Sequence, residues 1–463
     1  MQMNSAMTED ADESPVWSST NLARMPPAIF GLQQKLYHKA KQEPGFRFYS
    51  LFGLILRRDV LQSAWDRVAS NNGSPGVDKV SIAEVEARPS GVENLLNNIE
   101  SELRSKSYRP AAVRRVMIPK ANGKLRPLGI PTVKDRVVQT AVKIIIEPIF
   151  EADFLECSHG YRPDRSAHDA LREVIGNVKE GRSEVYDADL SSYFDTIPHD
   201  KLMLAVERRI ADRSVLSLLR LWLKAEVEER DEHGGPPKRS RPNAGTPQGG
   251  VISPLLANLY LHWFDKLFHR ADGPRWWANA RLVRFADDLT IHAKYIGDRI
   301  TSWVEETLEG RFGLTINRSK TSIRRLSPKN DEALDFLGYR TWYAPDQFGR
   351  KTRYLTAQPS PKAMATEREN LRKIICREMS WLPITQLIDR VNRQTAGWAV
   401  YHRLGRPARC FARINTFIVG RLYRHLRRRS QRPYRPPAGV SWWPHLTNDL
   451  GLVLLKTPTA KVR

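Results

Sequence analysis

Apolar residues recur at helical spacing over residues 51–70, through Leu51, Leu54, Ile55, Val60, Leu61 and Trp65, which predicts a helix there. It should stop before Asn71-Asn72-Gly73-Ser74-Pro75-Gly76, where Gly and Pro mark a loop. From Arg114 to Pro131 the pattern changes to two short strands around Asn122-Gly123, a hairpin signature. A helix is predicted over about 134–150, and an apolar strand over Glu184–Asp189 that ends in acidic residues. Ser253 and Pro254 read as N-cap and first residue of a further helix, whose stripe of Leu255, Leu259, Trp263 and Leu267 beside Leu256, Tyr260, Phe264 and Phe268 is core. Residues 281–293 form two strand-like runs flanking Asp287-Asp288, which puts both acids at a hairpin turn. A helix near 297–310 and a short strand at Phe336-Leu337-Gly338-Tyr339 follow. This alternation predicts an α+β fold with a mostly antiparallel sheet. Near Pro359-Ser360-Pro361 the composition becomes helical and basic, and Phe411, Ile414, Ile418, Leu422 and Leu426 make one stripe with Arg421, Arg424, Arg427 and Arg428 largely off it.

Charge sharpens this picture. The 463-residue chain carries +23, and its last 113 residues hold 23 Lys and Arg against 5 Asp and Glu, a net +18. Such an excess points to a polyanionic partner, either nucleic acid or a membrane surface. No run of about 18 apolar residues is present, and the strongest motifs favour nucleic acid, so no membrane partner is expected. The polar start contains Glu9-Asp10-Ala11-Asp12-Glu13, the opposite of a secretory signal, and is expected to be a disordered leader. Cys157, Cys376 and Cys410 are widely spaced, so neither a disulfide framework nor a zinc site is indicated. A reducing cytoplasm is the expected compartment.

The candidate chemistry starts from Asp287-Asp288. Two carboxylates about 4 Å apart repel by roughly 4 kcal/mol at intermediate dielectric, so such a pair is normally stabilised by cations. Magnesium suits hard oxygen ligands combined with substrate phosphates. Taken alone, the pair is more often a solvated turn. The strand at 184–189 supplies the third carboxylate that a two-metal phosphoryl-transfer site needs. Asp187 and Asp189 share a face by period two, so pattern leaves the choice between them open, and Asp195 reads as a turn or cap residue. Arg115, Lys120, Lys124 and Arg126 stud the 114–131 hairpin and suit phosphates, although a basic hairpin can also be solvated for its own sake. In Gly160-Tyr161-Arg162-Pro163-Asp164-Arg165, Arg162 and Arg165 are candidates to hold a nucleic-acid backbone while Tyr161 stacks on a base. The glycines of Gly245-Thr246-Pro247-Gln248-Gly249-Gly250 permit close approach of backbone to a ligand.

In this order and spacing, the set resembles the motifs of reverse transcriptases encoded by bacterial group II introns. The resemblance runs from about residue 70 to 340: a basic fingers hairpin, Gly-Tyr-Arg-Pro, Asp-x-x-x-x-Phe, Gly-Thr-Pro-Gln-Gly-Gly, Ala-Asp-Asp and Asn-x-x-Lys-Thr. Residues 355–445 are similar to that family's thumb, or maturase, domain through Asn392, Gly397-Trp398, Tyr401, Phe411 and the arginine-rich helix. Ser430-Gln431-Arg432-Pro433 and Gly451-Leu452 are similar to the class C members, which lack an endonuclease domain. The resemblance implies a right-hand polymerase: a leader over 1–43, fingers and palm over 44–345, a basic helical thumb over 346–432 and a tail over 433–463.

It also selects Asp189 as a metal ligand, because an aromatic follows five residues on, together with Asp287, Asp288 and the Leu190 carbonyl. Lys124, Arg126, Phe194 and Gln248 are the implied dNTP contacts, with Phe194 as the gate against a ribose 2′-OH, and Lys320 is the implied proton donor to pyrophosphate. Arg115, Lys120, Arg162, Arg165, Arg421, Arg424, Arg427 and Arg428 are the expected nucleic-acid contacts. The implied cofactor is a pair of Mg²⁺ ions, with Mn²⁺ as a substitute. The implied partners are an intron RNA template, a DNA or RNA primer, dNTPs and a DNA target, in a bacterial cytoplasm. Phe285 stands where the family usually has Tyr. The rival readings are a domesticated reverse transcriptase, in phage defence or linked to CRISPR, and an RNA-binding splicing factor with little polymerase activity.

Overall fold

The computed structural model describes residues 26–119, 125–230, 235–346, 349–430 and 434–457. Eleven strands among the described residues form three sheets. The first holds the basic hairpin: β1 (Val113–Pro119) pairs antiparallel with β2 (Leu125–Ile130) from Arg114↔Ile130 to Pro119↔Leu125. On its other side β1 runs parallel to β4 (Val227–Glu229), which pairs with β5 (Lys238–Ser240). The hairpin tip, with Lys120 and Lys124, lies outside the described residues.

The central sheet has the order β6-β7-β3-β8: β3 (Glu184–Ala188), β6 (Arg281–Phe285), β7 (Asp288–Ala293) and β8 (Ser322–Arg325). Both of its faces are covered, so neighbouring apolar residues on one strand enter different cores. Tyr186, Leu282, Leu289 and Ile291 join the large core that includes the Ser253–His269 and Val133–Glu151 helices. Val185 and Val283 instead pack with Leu171 and Val174 of the Ala167–Lys179 helix.

The third sheet is β9 (Ala333–Phe336), β10 (Tyr339–Pro345) and β11 (Arg353–Pro359). Because β11 pairs with β10 along its whole length, the sheet continues past residue 346, where a second domain was expected to begin. A separate helical core then forms around Leu371, Leu387, Val391, Ile414, Ile418, Leu422 and Leu426.

Several local expectations change for tertiary reasons. The 51–70 segment is two helices, Phe52–Ile55 and Arg58–Ser70. Asp212, from far along the chain, accepts the amides of Leu51 and Phe52 at 2.8 Å each and caps the first of them. Ser253 is not an N-cap: it lies inside the helix, and its hydroxyl donates to the Pro247 carbonyl at 2.9 Å. Phe336-Leu337-Gly338-Tyr339 is a turn and not a strand, with Leu337 at φ +48° and Gly338 at +76° between paired Phe336 and Tyr339. The helix near 297–310 is Asp298–Glu305 running into a wider turn over Glu306–Arg311.

Described residues within the expected leader and tail pack into the fold. The Pro27–Gln42 helix buries Ile29, Leu36, Tyr37 and Ala40, and Gln33 Nε2 donates to the Ile144 carbonyl at 2.8 Å. At the other end, Leu446 and Leu452 are core residues. Asn392 donates to the Gly451 carbonyl and accepts the Val453 amide, and Asn415 does the same with the carbonyl and amide of Leu455. No helix among the described residues is long and apolar enough to cross a membrane.

Within the helical core Glu367 is buried, receives one hydrogen bond from Gln394 at 2.8 Å, and keeps a second oxygen without a partner. Burial pushes its carboxyl from 4.5 up to about 7. Between those values the unfolded chain gives up the proton more readily than the folded one, so stability falls as pH rises through this window. Glu367→Gln retains an acceptor for Gln394 and removes the charge. Thermal melts should show a gain of about 1–2 kcal/mol at pH 8 and almost none at pH 4.5; a Tm unchanged at pH 8 would count against this assignment.

Candidate active site

The antiparallel register sets the site. Phe285 pairs with Asp288 across a two-residue turn made of Ala286 and Asp287, with Ala286 left-handed at φ +57°. The β3–β7 ladder ends at Ala188↔Leu289, so Asp189, one residue further, stands opposite Asp288. Directly opposed residues have Cα atoms about 5 Å apart. Sequence pattern predicted three converging acids, and Asp187, one turn of the pleat back, adds a fourth.

Burial raises the Asp187 carboxyl to about 6, with help from Asp189 and Asp335 and against the pull of Arg324. The Asp288 carboxyl is raised to about 7, first by the protein packed around it and then by Asp287, Asp187 and Asp189, against the pull of Lys320. Asp288 keeps an exposed surface. Asp287 moves up in the same direction, mainly through burial.

The Asn-x-x-Lys-Thr segment closes around Asp189. The Asn317 amide donates to the Asp189 carbonyl at 2.8 Å, and its side chain donates to Asp189 Oδ2 at 3.1 Å. Lys320 Nζ reaches the same oxygen at 2.8 Å, and the Asp189 amide donates to Thr321 Oγ1 at 3.3 Å. Leu190 bridges Ile316, and the flanking bonds, Ser191 to Thr315 and Asn317 to Asp189, leave the Leu190 carbonyl out of that ladder. Among the described residues no group of three His, Cys, Asp or Glu converges closely enough to hold a metal as it stands; Asp189 is turned to Lys320 and Asn317. No ion pair among the described residues reaches Asp287 or Asp288. Crowded carboxylates without a paired cation are the donor set that a hard divalent ion fits.

The glycine-rich loop supports the site from two sides. The amides of Gly245 and Thr246 donate to the carbonyls of Ile197 and Phe194 at 2.8 and 2.6 Å. The Gly129 amide, on β2, donates to the Gln248 carbonyl at 2.5 Å. Gly249 has φ +106°, and a Cβ there would fall 2.2 Å from the Gly129 carbonyl oxygen. The loop therefore ties the basic hairpin to the segment carrying buried Phe194.

Comparison with known proteins matches residues 118–341 to reverse transcriptase (RNA-dependent DNA polymerase) and 364–439 to the group II intron maturase-specific domain. Protein YkfC of Escherichia coli K12 is 37% identical over 370 residues, 72% of this chain and 93% of that protein. The group II intron-encoded protein LtrA of Lactococcus lactis is 38% identical over 220 residues, 47% of this chain but only 35% of LtrA. Among solved structures, a "Partial Cas6-RT-Cas1--Cas2 complex" aligns with 56% of this chain and 43% of its own at 20% identity and TM-score 0.34, too slight a likeness to argue from. The chain belongs to the group II intron reverse transcriptase/maturase family. Its fold is accordingly a right-hand polymerase followed by a helical domain. Members of this family are RNA-directed DNA polymerases that bind intron RNA, take nucleotide substrates and use divalent metal ions.

In this reverse transcriptase, Arg126 is exposed on β2 and its charge acts on both Asp287 and Tyr161. Gly160 lies so close to the acidic turn that a Cβ would meet the Ala286 amide at 2.4 Å. That brings Tyr161 over the site, where burial and then Asp287 raise its phenol, with Asp288 adding to the rise. The helical domain reaches the site too: the Tyr401 hydroxyl donates to the Leu337 carbonyl at 2.8 Å, and its phenol is raised by burial and then by Asp288. Neither contact had a local sequence signal, because each joins segments far apart along the chain, 64 residues for Tyr401 and Leu337.

The expected nucleic-acid arginines divide. Arg162 is buried, paired with Glu151 at 2.5 Å, and donates to the carbonyls of Leu155 and Ser158 at 2.7 and 2.6 Å. It is buried and braces its own loop, which corrects the expectation of a template contact. Arg165 pairs with Glu156, and Arg115 with Glu229 at 2.6 Å. Arg424 and Arg428 are exposed in a cleft lined also by Arg377, Ser380, Arg421 and His425, where Arg421 is anchored on the Ile375 carbonyl at 2.6 Å. Arg427 turns instead to Tyr423, donating to its hydroxyl at 2.5 Å and lying over its ring. Gly249→Ala should cost about 1–3 kcal/mol, measured as a lower Tm, and should slow primer extension; a variant that melts and extends like the parent would show that the loop tolerates a Cβ.

Proposed function

We propose that this chain copies intron RNA into DNA by nucleotidyl transfer at Asp189, Asp287 and Asp288, and that it also acts as the maturase of its parent intron. The carrying observation is the register that sets Asp189 opposite Asp288. The three carboxylates, with the Leu190 carbonyl as a further oxygen, hold two Mg²⁺ ions in this reading, and Mn²⁺ is a substitute. Bound there, such ions supply neutralisation of phosphate charge and a lowered pKa for the primer hydroxyl. Arg126, with Lys124 and Lys120 beside it in sequence, binds the triphosphate of the incoming dNTP. Phe194 fills the space of a ribose 2′-OH, and Gln248 lies beneath the nascent pair. Lys320 neutralises Asp189 in the free enzyme and is within reach to protonate pyrophosphate once nucleotide is bound.

The template–product duplex runs toward the basic helical domain, which accounts for most of the net charge and binds chiefly through phosphates. Arg424 and Arg428 are the contacts proposed there. A DNA or RNA 3′ end at the DNA target serves as primer, and a bacterial cytoplasm is the proposed location. Phe285 offers the primer no hydroxyl where a tyrosine would.

Primer extension on poly(rA)/oligo(dT) is the direct test. Asp287→Asn should lose at least about a hundredfold in rate, and equal activity in parent and variant would refute the site. Arg424→Ala and Arg428→Ala should each weaken RNA binding without changing sequence preference and should reduce the salt slope by about one; an unchanged slope would remove that residue from the interface. Phe285→Tyr should alter the misincorporation rate, and an identical error rate would leave the substitution without consequence.

A further inference from the structure

Among the described residues Arg284 is the largest side chain fully withdrawn from solvent, and it sits on β6 two residues before the acidic turn. Its guanidinium meets four acceptor atoms. Nε donates to Asp265 Oδ1 at 2.9 Å and Nη2 to Asp265 Oδ2 at 2.5 Å; Nη1 donates to Asn258 Oδ1 at 2.9 Å and to the Ala286 carbonyl at 3.0 Å. Asn258 passes the connection on, its Nδ2 donating to the Gly160 carbonyl at 2.5 Å. Arg284's own backbone is held as well, its amide by the Cys157 carbonyl and its carbonyl by the His159 amide, each at 2.8 Å. One buried cation thus joins the Ser253–His269 helix, the Gly160 loop and the peptide that carries Asp287.

Stability alone gives little reason to bury this group. A buried ion pair is commonly matched or exceeded in stability by apolar residues of the same volume, while its geometry fixes one arrangement among several. Here the arrangement fixed is unusual. Ala286 is left-handed, which a residue with a Cβ resists, and its carbonyl is the one the guanidinium holds. We propose that Arg284 is a positioning residue: by clamping the Ala286 carbonyl against Asp265 and Asn258, it sets the orientation of the Asp287-Asp288 turn and so the affinity of the site for divalent ions. Lysine cannot replace it, because an ammonium lacks the planar fork that reaches the carboxylate, the amide oxygen and the carbonyl together.

The inference rests on the metal-site reading above, and the test separates the two. Arg284→Lys keeps the charge opposite Asp265 and loses the fork. The double variant Arg284→Met/Asp265→Leu removes both charges, so no unpaired ion is left in the core. Each is compared with the parent by thermal melting, by Tb³⁺ luminescence on the protein without nucleic acid, and by the Mg²⁺ midpoint for primer extension. The expected result is melting within about 5 °C of the parent, with Tb³⁺ binding weakened and the Mg²⁺ midpoint raised by about tenfold or more in both variants.

A variant that folds and matches the parent in both metal readouts overturns the proposal. Failure of both to fold also overturns it, because the cluster then carries the core and not the turn. Asp287→Asn is the control: if it binds Tb³⁺ as the parent does, the metal-site reading itself has failed, and this inference with it.

Discussion

Negative charge gathered at one edge of a sheet is the constraint around which this molecule is arranged. Burial first, and then the neighbouring acids, raise Asp187 to about 6 and Asp288 to about 7. Free in water they would separate. Backbone hydrogen bonding prevents this, because the β3–β7 ladder and the tight β6–β7 turn fix where each Cα stands regardless of what the side chains prefer. Lys320 and Asn317 relieve part of the repulsion at Asp189, and the remainder is the electrostatic demand that divalent ions answer in this family.

Holding such a turn requires other segments to come unusually close. Gly160 lies against Ala286, Gly245 against the backbone of Asp195, and Gly249 against Gly129, all at separations that leave no room for a Cβ. These glycines bring the Gly-Tyr-Arg-Pro loop, the Phe194 segment and the basic hairpin to one place. The buried Arg284 cluster acts from beneath, joining helix, loop and turn through donors that each have a definite partner. Polymerase motifs that look independent along the chain are thus parts of one packed unit.

The helical domain is coupled to this unit at Tyr401. Its hydroxyl donates to Leu337 in the β9–β10 turn, and its carbonyl accepts from the Tyr339 hydroxyl and contacts His168 Nε2 at 2.6 Å. The basic helical domain and the acidic turn are therefore linked through a few side chains near residue 339. Residues 451–455 belong to the same domain, held by Asn392 and Asn415 through paired bonds to their backbone.

Period and composition alone determined a good deal. Alternating apolar residues around Asp287-Asp288 required a hairpin there, although Asp288 proves to open β7 and only Asp287 lies in the turn. The runs either side of Asn122-Gly123 required the basic hairpin, and the excess of arginine after Lys351 pointed to a polyanionic partner. Such features are local, and each residue's neighbours in sequence are enough to impose them. What pattern left open was settled only by long-range pairing. Asp187 and Asp189 are equivalent by period two, and the ladder distinguishes them by setting Asp189 level with Asp288. Arg162 looked like any loop arginine until Glu151 and two carbonyls enclosed it. Asp212 capping a helix 160 residues away, Leu337 in a left-handed turn and Arg284 inside the core had no local sign at all, because hydrogen-bond partners chosen across the fold depend on which backbones meet, and only the packed chain fixes that.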